Sequence, residues 1–225
     1  MSKVGRIYRE EWARFRSRYG KIFILLAGLF LLAAVLSHTY FMQRPQLAEQ
    51  KLLEIAQRLL EKIPMDKGRL VLFIAIVFNN ATAAGLAVLA GLIPVLFLPA
   101  LAVVINGAVM GILSAMLTLR GADLGSALIF GLAPHGVFEI PAFLYAAALG
   151  IRLTSWLTRF ISNELFGTGI QSPPAAAMTD PQGESFPVLL ARTFRSWLLV
   201  VIPLLLIAAL MEAFVTPVLI KTFIN

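Results

Sequence analysis

Cysteine is absent from the 225 residues, which removes disulfides, iron–sulfur ligation, thiolate zinc sites and cysteine nucleophiles. That absence does not locate a compartment, because a membrane protein can lack disulfides on either side. Histidine occurs only at His38 and His135, too few for a three-histidine metal site within one chain. Charge is also scarce: charged residues make up 14% of the chain and hydrophobic ones 59%, whereas a soluble domain is about one quarter charged. So little charge cannot coat a soluble globule of this size. A soluble enzyme, a disordered chain and a nucleic-acid module are excluded on that ground, despite the net charge of +7.

The catalytic signatures are missing as well. No H-E-x-x-H zinc helix, no G-x-x-x-x-G-K-[ST] phosphate loop and no G-x-S-x-G elbow occurs. Asp66, Asp123 and Asp180 all fall outside the long apolar runs, so an intramembrane aspartyl pair is ruled out. No internal repeat is visible, which gives an inverted-repeat transporter no support.

What is present is apolar sequence long enough to cross a bilayer, for which about 20 residues suffice. The first run spans Ile22 to Met42. It leads into Ser37-His38-Thr39-Tyr40-Phe41, too bulky for a signal-peptidase site, so it reads as a retained anchor. Leu70 to Leu119 is fifty residues without a charge, the length of two spans. Gly91, Pro94 and Pro99 place the turn between them. Two further runs cover 124–151 and 197–220. The expected spans are therefore 22–42, 70–90, 95–119, 124–151 and 197–220 within a membrane domain of residues 22–225, preceded by a basic amphipathic segment, 1–21.

Loop charge sets the orientation. With the N terminus inside, five spans bring the 152–196 segment inside too, and eleven of the 19 lysines and arginines lie there against eight outside. The reading is a cell-membrane, multi-pass chain with a cytoplasmic N terminus and an extracytoplasmic C terminus.

Three segments outside the spans read as amphipathic helices at the bilayer surface. Tyr8, Trp12, Phe15 and Tyr19 recur at spacings of four, three and four among arginines, the pattern of a helix in the headgroup plane. Residues 45–63 collect Leu52, Ile55, Ala56, Leu59, Leu60 and Ile63 on one face. Residues 152–166 set Trp156, Leu157, Phe160 and Ile161 opposite Arg152, Ser155 and Arg159. A flexible, proline-bearing connection follows over 167–187.

The function has to be sought in polar groups held at depth, since a charge at the centre of a span costs about 2.5–3.5 kcal/mol. Asn79 and Asn80 sit near the middle of the second span, Asn106 of the third, and His135 and Glu139 of the fourth; Glu212 lies in the fifth. Four spans carrying polar groups at one level point to one shared cluster. His135 and Glu139, four residues apart, share a helix face. Three readings stay open. The cluster can be a bonded structural core, a site for a proton, an ion or a lipid headgroup, or a zinc site of His135, Glu139 and Glu212 serving an intramembrane hydrolase. Pro134, Gly136 and Pro141 predict a kinked or unwound backbone over Ala133–Ile140, tolerated only where protein or water satisfies it. Gly107, Gly111 and Ala115 recur every four residues, a close-approach face expected to pack a homodimer.

Pro134-His135-Gly136-Val137-Phe138-Glu139-Ile140-Pro141 resembles the PHGxxE-[LI]-P core of the stage II sporulation protein M family. Asn79-Asn80, Asn106-Gly107 and Met211-Glu212-Ala213-Phe214-Val215-Thr216-Pro217 match its other recurrent polar positions, in order, over 70–220. The resemblance implies a five-span prokaryotic membrane protein. In spore formers the namesake anchors a complex with peptidoglycan-degrading partners during engulfment. The resulting expectation is an all-α, polytopic membrane helical bundle acting as a non-enzymatic scaffold or complex subunit. Its partners would be the lipid bilayer, a second copy and other membrane or cell-wall proteins, with no nucleic acid. No cofactor is expected, zinc being the one alternative. A carrier or channel-like protein using the polar cluster is the competing reading.

Overall fold

In hydrocarbon every backbone amide and carbonyl needs a partner within the protein, and an apolar run long enough to cross supplies them by closing a helix. The computed structural model describes residues 3–60, 68–166 and 184–223. Its helices are α1 (Lys3–Met42), α2 (Pro45–Leu60), α3 (Arg69–Leu92), α4 (Leu98–Leu119), α5 (Leu124–Leu165) and α6 (Phe186–Phe223). All but α2 are long and apolar enough to cross a membrane. The fold is an all-α bundle.

Contacts sort the connections into two ends. Arg18 pairs with Glu184, Arg195 with Glu10, and the amide of Val95 donates to Thr158 Oγ1 at 2.8 Å. The start of α1, the α3–α4 connection, the end of α5 and the start of α6 therefore share one end, called here the N-terminal end. At the opposite end Arg120 approaches Glu49 of α2 at 3.6 Å, and Phe130 stacks on Phe223 at 4.5 Å between ring centroids. The described ends of α1 and α6 thus lie at opposite ends, as an odd number of crossings requires.

Several helices run past the spans that hydropathy marks. The amphipathic segment before Ile22 is the first half of α1, and its aromatic stripe turns inward. Tyr8 and Trp12 are exposed, whereas Phe15 and Tyr19 lie 5.3 and 5.5 Å from the Tyr145 ring, Tyr19 fully buried. Residues 152–165 continue α5 without a break, and Arg152, Leu153, Thr154 and Trp156 are buried. They pack inside the bundle instead of lying along the membrane surface. The connection expected over 167–187 ends earlier, because α6 begins at Phe186 with Pro187 in its first turn, where a missing amide hydrogen costs nothing. Residues 167–183, and residues 61–63 of the second amphipathic segment, lie outside the described residues.

The core follows α5. From Ala142 to Gly150 this helix is almost wholly buried, and small residues let its neighbours close in. A Cβ on Gly150 would meet the carbonyl oxygen of Ala87 at 2.5 Å, and one on Gly91 would meet that of Gly150 at 2.2 Å. Thr154 Oγ1 donates to the Gly91 carbonyl at 3.1 Å across the same contact.

The Gly107–Gly111–Ala115 stripe is used in the same manner, by this chain. A Cβ on Gly107 would lie 2.4 Å from the Phe30 carbonyl oxygen, and one on Gly111 2.3 Å from that of Ala34. Ser37 donates to the Ala108 carbonyl, and His38 Nδ1 lies 2.9 Å from Ser114 Oγ along the seam. Helix α1 covers the stripe, so within this chain its close approach is already taken up by α1. Sequence spacing reports that two backbones can approach, and is silent on whether the second belongs to another copy.

The expected unwinding over Ala133–Ile140 is likewise corrected. That stretch is α-helical, and Pro141 sits inside the helix. The irregularity precedes it, as a π-helical segment over Ala127–Leu132. Two further π segments, Trp197–Val201 and Met211–Val215, interrupt α6. Each of these three ends two residues before a proline, namely Pro134, Pro203 or Pro217, whereas a fourth π segment, Phe15–Tyr19 in α1, precedes none. A proline removes one donor and crowds the carbonyl four residues back. A turn widened to i→i+5 pairing relieves both demands without breaking the helix.

Candidate intramembrane binding site

The residues of the polar cluster come from four helices. Asn79 and Asn80 sit midway along α3, Asn106 on α4, His135 and Glu139 one turn apart on α5, and Glu212 on α6. All six line one cavity of about 300 Å³. One ligating atom from each of His135, Glu139 and Glu212 falls within 4.8 Å of the other two, and all three side chains are half-buried. Thr216 Oγ1, one turn beyond Glu212, lies 3.5 Å from His135 Nδ1. Asn79 donates to Asn80 Oδ1 at 3.2 Å. Asn106 donates to the Ala102 carbonyl at 2.8 Å and stands on the exposed side of the cavity.

The two π segments nearest the cluster bear on this geometry. Glu212 lies within one, and the other ends two residues before Pro134-His135. An extra residue in a turn rotates the downstream side chains by about 100°, which a regular helix would have to absorb elsewhere.

A second cavity, of about 700 Å³, adjoins the first. Its lining runs from Gly121, Asp123 and Ser126 at the α4–α5 turn to His135, and it shares Met110, Leu113, Leu132 and His135 with the cluster cavity. The second cavity therefore lies between the cluster and the end opposite the N terminus. Asp123 caps α5 at that mouth. The Ser126 hydroxyl and the amides of Ser126 and Gly125 donate to its carboxylate, and hold it below the usual carboxylate range.

At the N-terminal end the charges close on one another. Glu184, 6% exposed, pairs with Arg18, Arg152 and Arg192. Its own carbonyl accepts from Trp156 Nε1 at 3.1 Å. Glu11, 2% exposed, receives Arg14 at 2.9 Å, Arg195 at 2.9 Å and the Ser196 hydroxyl at 2.7 Å. These two carboxylates were not singled out in the sequence. The signal available was weak: Glu11 is an acid within a strongly basic segment, and Glu184 has no basic residue near it in sequence.

The sequence model of stage II sporulation protein M matches residues 22–217. The chain belongs to the stage II sporulation protein M family. The match takes in the first four spans, the fifth as far as Pro217 and every residue of the polar cluster, and leaves out the basic amphipathic segment 1–21. No curated protein and no solved structure matches the chain. For this member of the family, the chemistry therefore has to be argued from its own cavity. Half-buried carboxylates, an imidazole and three amides around an open space offer acceptors for a cation and donors for a small polar ligand, and offer no nucleophile of the cysteine or serine-elbow type.

Proposed function

We propose that this protein is a carrier- or channel-like membrane protein whose intramembrane cavity takes a small cation, a proton or a metal ion, at His135, Glu139 and Glu212. One observation carries the reading: six polar residues from four spans line one cavity, and a second cavity beside it extends to the α4–α5 turn. A merely structural polar core would spend its groups on each other, because an unpaired polar group at depth is costly. Here the carboxylates face a cavity instead. With the N-terminal end in the cytoplasm, as the loop charges favour, this second cavity, the vestibule, lies on the outer side of the cluster. An apolar cavity of about 390 Å³ between Glu11 and Pro141 lies on the inner side and shares no lining residue with the cluster cavity.

Charge displacement on a solid-supported membrane tests this. Proteoliposomes given concentration jumps of protons, Na⁺, K⁺, Mg²⁺ and Mn²⁺ are expected to show a displacement for at least one cation. Glu139→Gln, nearly the same shape without the charge, should abolish it while the protein stays folded. A signal that survives Glu139→Gln, or no signal for any of these cations, contradicts the reading.

A second reading, a subunit of a larger membrane complex, draws on α2. This amphipathic helix stands outside the five crossing helices, with Leu53 54% exposed. The two roles are compatible: α2 would hold a partner while the cavity serves the ion.

A further inference from the structure

The geometry points to a reversible site for a first-row divalent metal ion, held by His135, Glu139 and Glu212 and reached from the vestibule at the α4–α5 turn. The assignment deepens the cation reading above and rests on it.

The first support is charge. Two carboxylates with oxygens within 4.8 Å of each other repel strongly at membrane depth, where the medium screens poorly. No lysine or arginine among the described residues lines the cavity. The arginines that pair with Glu10, Glu11, Glu49 and Glu184 are committed to those acids. Among the described residues nothing cationic answers the pair, so neutralisation falls to protons or to a bound cation, and a divalent ion neutralises both carboxylates at once.

The second support is the donor set. One imidazole with two carboxylates suits Mn²⁺, Fe²⁺ and Zn²⁺, since oxygen donors favour the harder ions and imidazole the later ones. An ion with bonds of about 2.1 Å holds its ligands roughly 3–4 Å apart. Atoms already within 4.8 Å of one another close on it by side-chain adjustments on the order of 1 Å. A neutral histidine that offers one ring nitrogen to a hydroxyl keeps the other for a metal, and Thr216 beside Nδ1 provides such an orienting group.

The third support is access. Three protein ligands leave coordination positions for water, the pattern of an exchangeable ion; a sealed structural site would normally supply four. His135 itself forms part of the wall between the vestibule and the cluster cavity. An ion entering past Asp123 and Ser126 would meet this ligand first and the two carboxylates behind it.

The test uses Co²⁺ alone, titrated into the full chain in nanodiscs after removal of any affinity tag. One Co²⁺ per chain should bind and develop visible ligand-field bands. Glu212→Gln and His135→Ala should each weaken binding at least about 100-fold, because a first ligand matters more than the outer partners whose loss costs 10–100-fold. His38→Ala, at the other histidine, should leave the bands and stoichiometry unchanged. Should His135→Ala fail to fold, Glu139→Gln and Glu212→Gln carry the test alone. Bands indifferent to both glutamine variants overturn the site. No Co²⁺ binding, together with a proton or Na⁺ displacement still dependent on Glu139, overturns the metal assignment and leaves the cation cavity standing. Absence of both signals overturns both.

Discussion

The two ends of the bundle treat buried acids in opposite ways. At the N-terminal end Glu11 and Glu184 are enclosed by arginines reaching from α1, α5 and α6, so the acids and bases of the chain neutralise one another. In the cavity Glu139 and Glu212 face, among the described residues, a histidine, amides, apolar side chains and open space, and no cationic group. The same residue type therefore stands in two settings: at one end it ties segments far apart in sequence, and in the cavity no described cationic side chain answers it.

The strongest way to disturb the scaffold common to both ends is to pry open the seam between α1 and α4. Gly111→Leu sets a side chain where a Cβ alone would be 2.3 Å from a backbone oxygen. Overpacking of that kind costs about 3 kcal/mol or more, read as loss of folded protein or a large fall in Tm. Light scattering should show no change in oligomeric mass among the molecules that remain folded, since the stripe packs within one chain.

Next comes a matched pair of substitutions that sets the two ends directly against each other. Glu184→Gln leaves three arginines facing a neutral amide, and should cost about 3 kcal/mol, the low end for a broken buried pair because Arg18 and Arg192 keep some contact with solvent. Glu212→Gln should not lower thermal stability and should raise it where both carboxylates are ionised, because it removes one of two mutually repelling acids that no described basic side chain lining the cavity answers. Equal losses from the two variants, followed by differential scanning fluorimetry, would erase the distinction on which the functional reading depends.

The smallest effect belongs to the vestibule mouth. The lowered carboxyl of Asp123 stabilises the start of α5. A depressed carboxyl contributes fully above its unfolded pKa, and the contribution fades as pH falls through the folded value. Asp123→Ala should thus lower Tm slightly at neutral pH, and the difference should vanish in strong acid. A gap that persists in acid would show that the cap acts through something other than the carboxylate.

Much of this architecture can be read in the sequence, for identifiable reasons. The uncharged stretch from Leu70 to Leu119 divides where Gly91, Pro94 and Pro99 suggest, and the structure leaves α3 at Leu92 and enters α4 at Leu98. Depth alone collects Asn79, Asn80, Asn106, His135, Glu139 and Glu212, because each must lie near the level of the others once the spans are laid side by side. Helix ends are less legible: hydropathy sees the bilayer, whereas α1, α5 and α6 continue past it on intrinsic helicity and packing. Pro134, Pro203 and Pro217 mark irregular turns, but only the coordinates show that the helix widens where unwinding was expected. The Glu184 cluster joins Arg18 to a residue 166 positions away, and no periodicity carries that information. The small-residue stripe shows the same limit, since spacing cannot name the helix that covers it.

The absence of native cysteine allows the central claim, a cation-binding cavity open to one side, to be tested with a single engineered thiol. Leu132 lines both the vestibule and the cluster cavity. In Leu132→Cys, a membrane-impermeant methanethiosulfonate should react from the side of the Arg120–Asp123 turn and not from the side of the N terminus. Mn²⁺ should slow that reaction, and adding Glu139→Gln to the same variant should remove the protection. Modification only from the N-terminal side, or protection by Mn²⁺ that survives Glu139→Gln, would contradict the account.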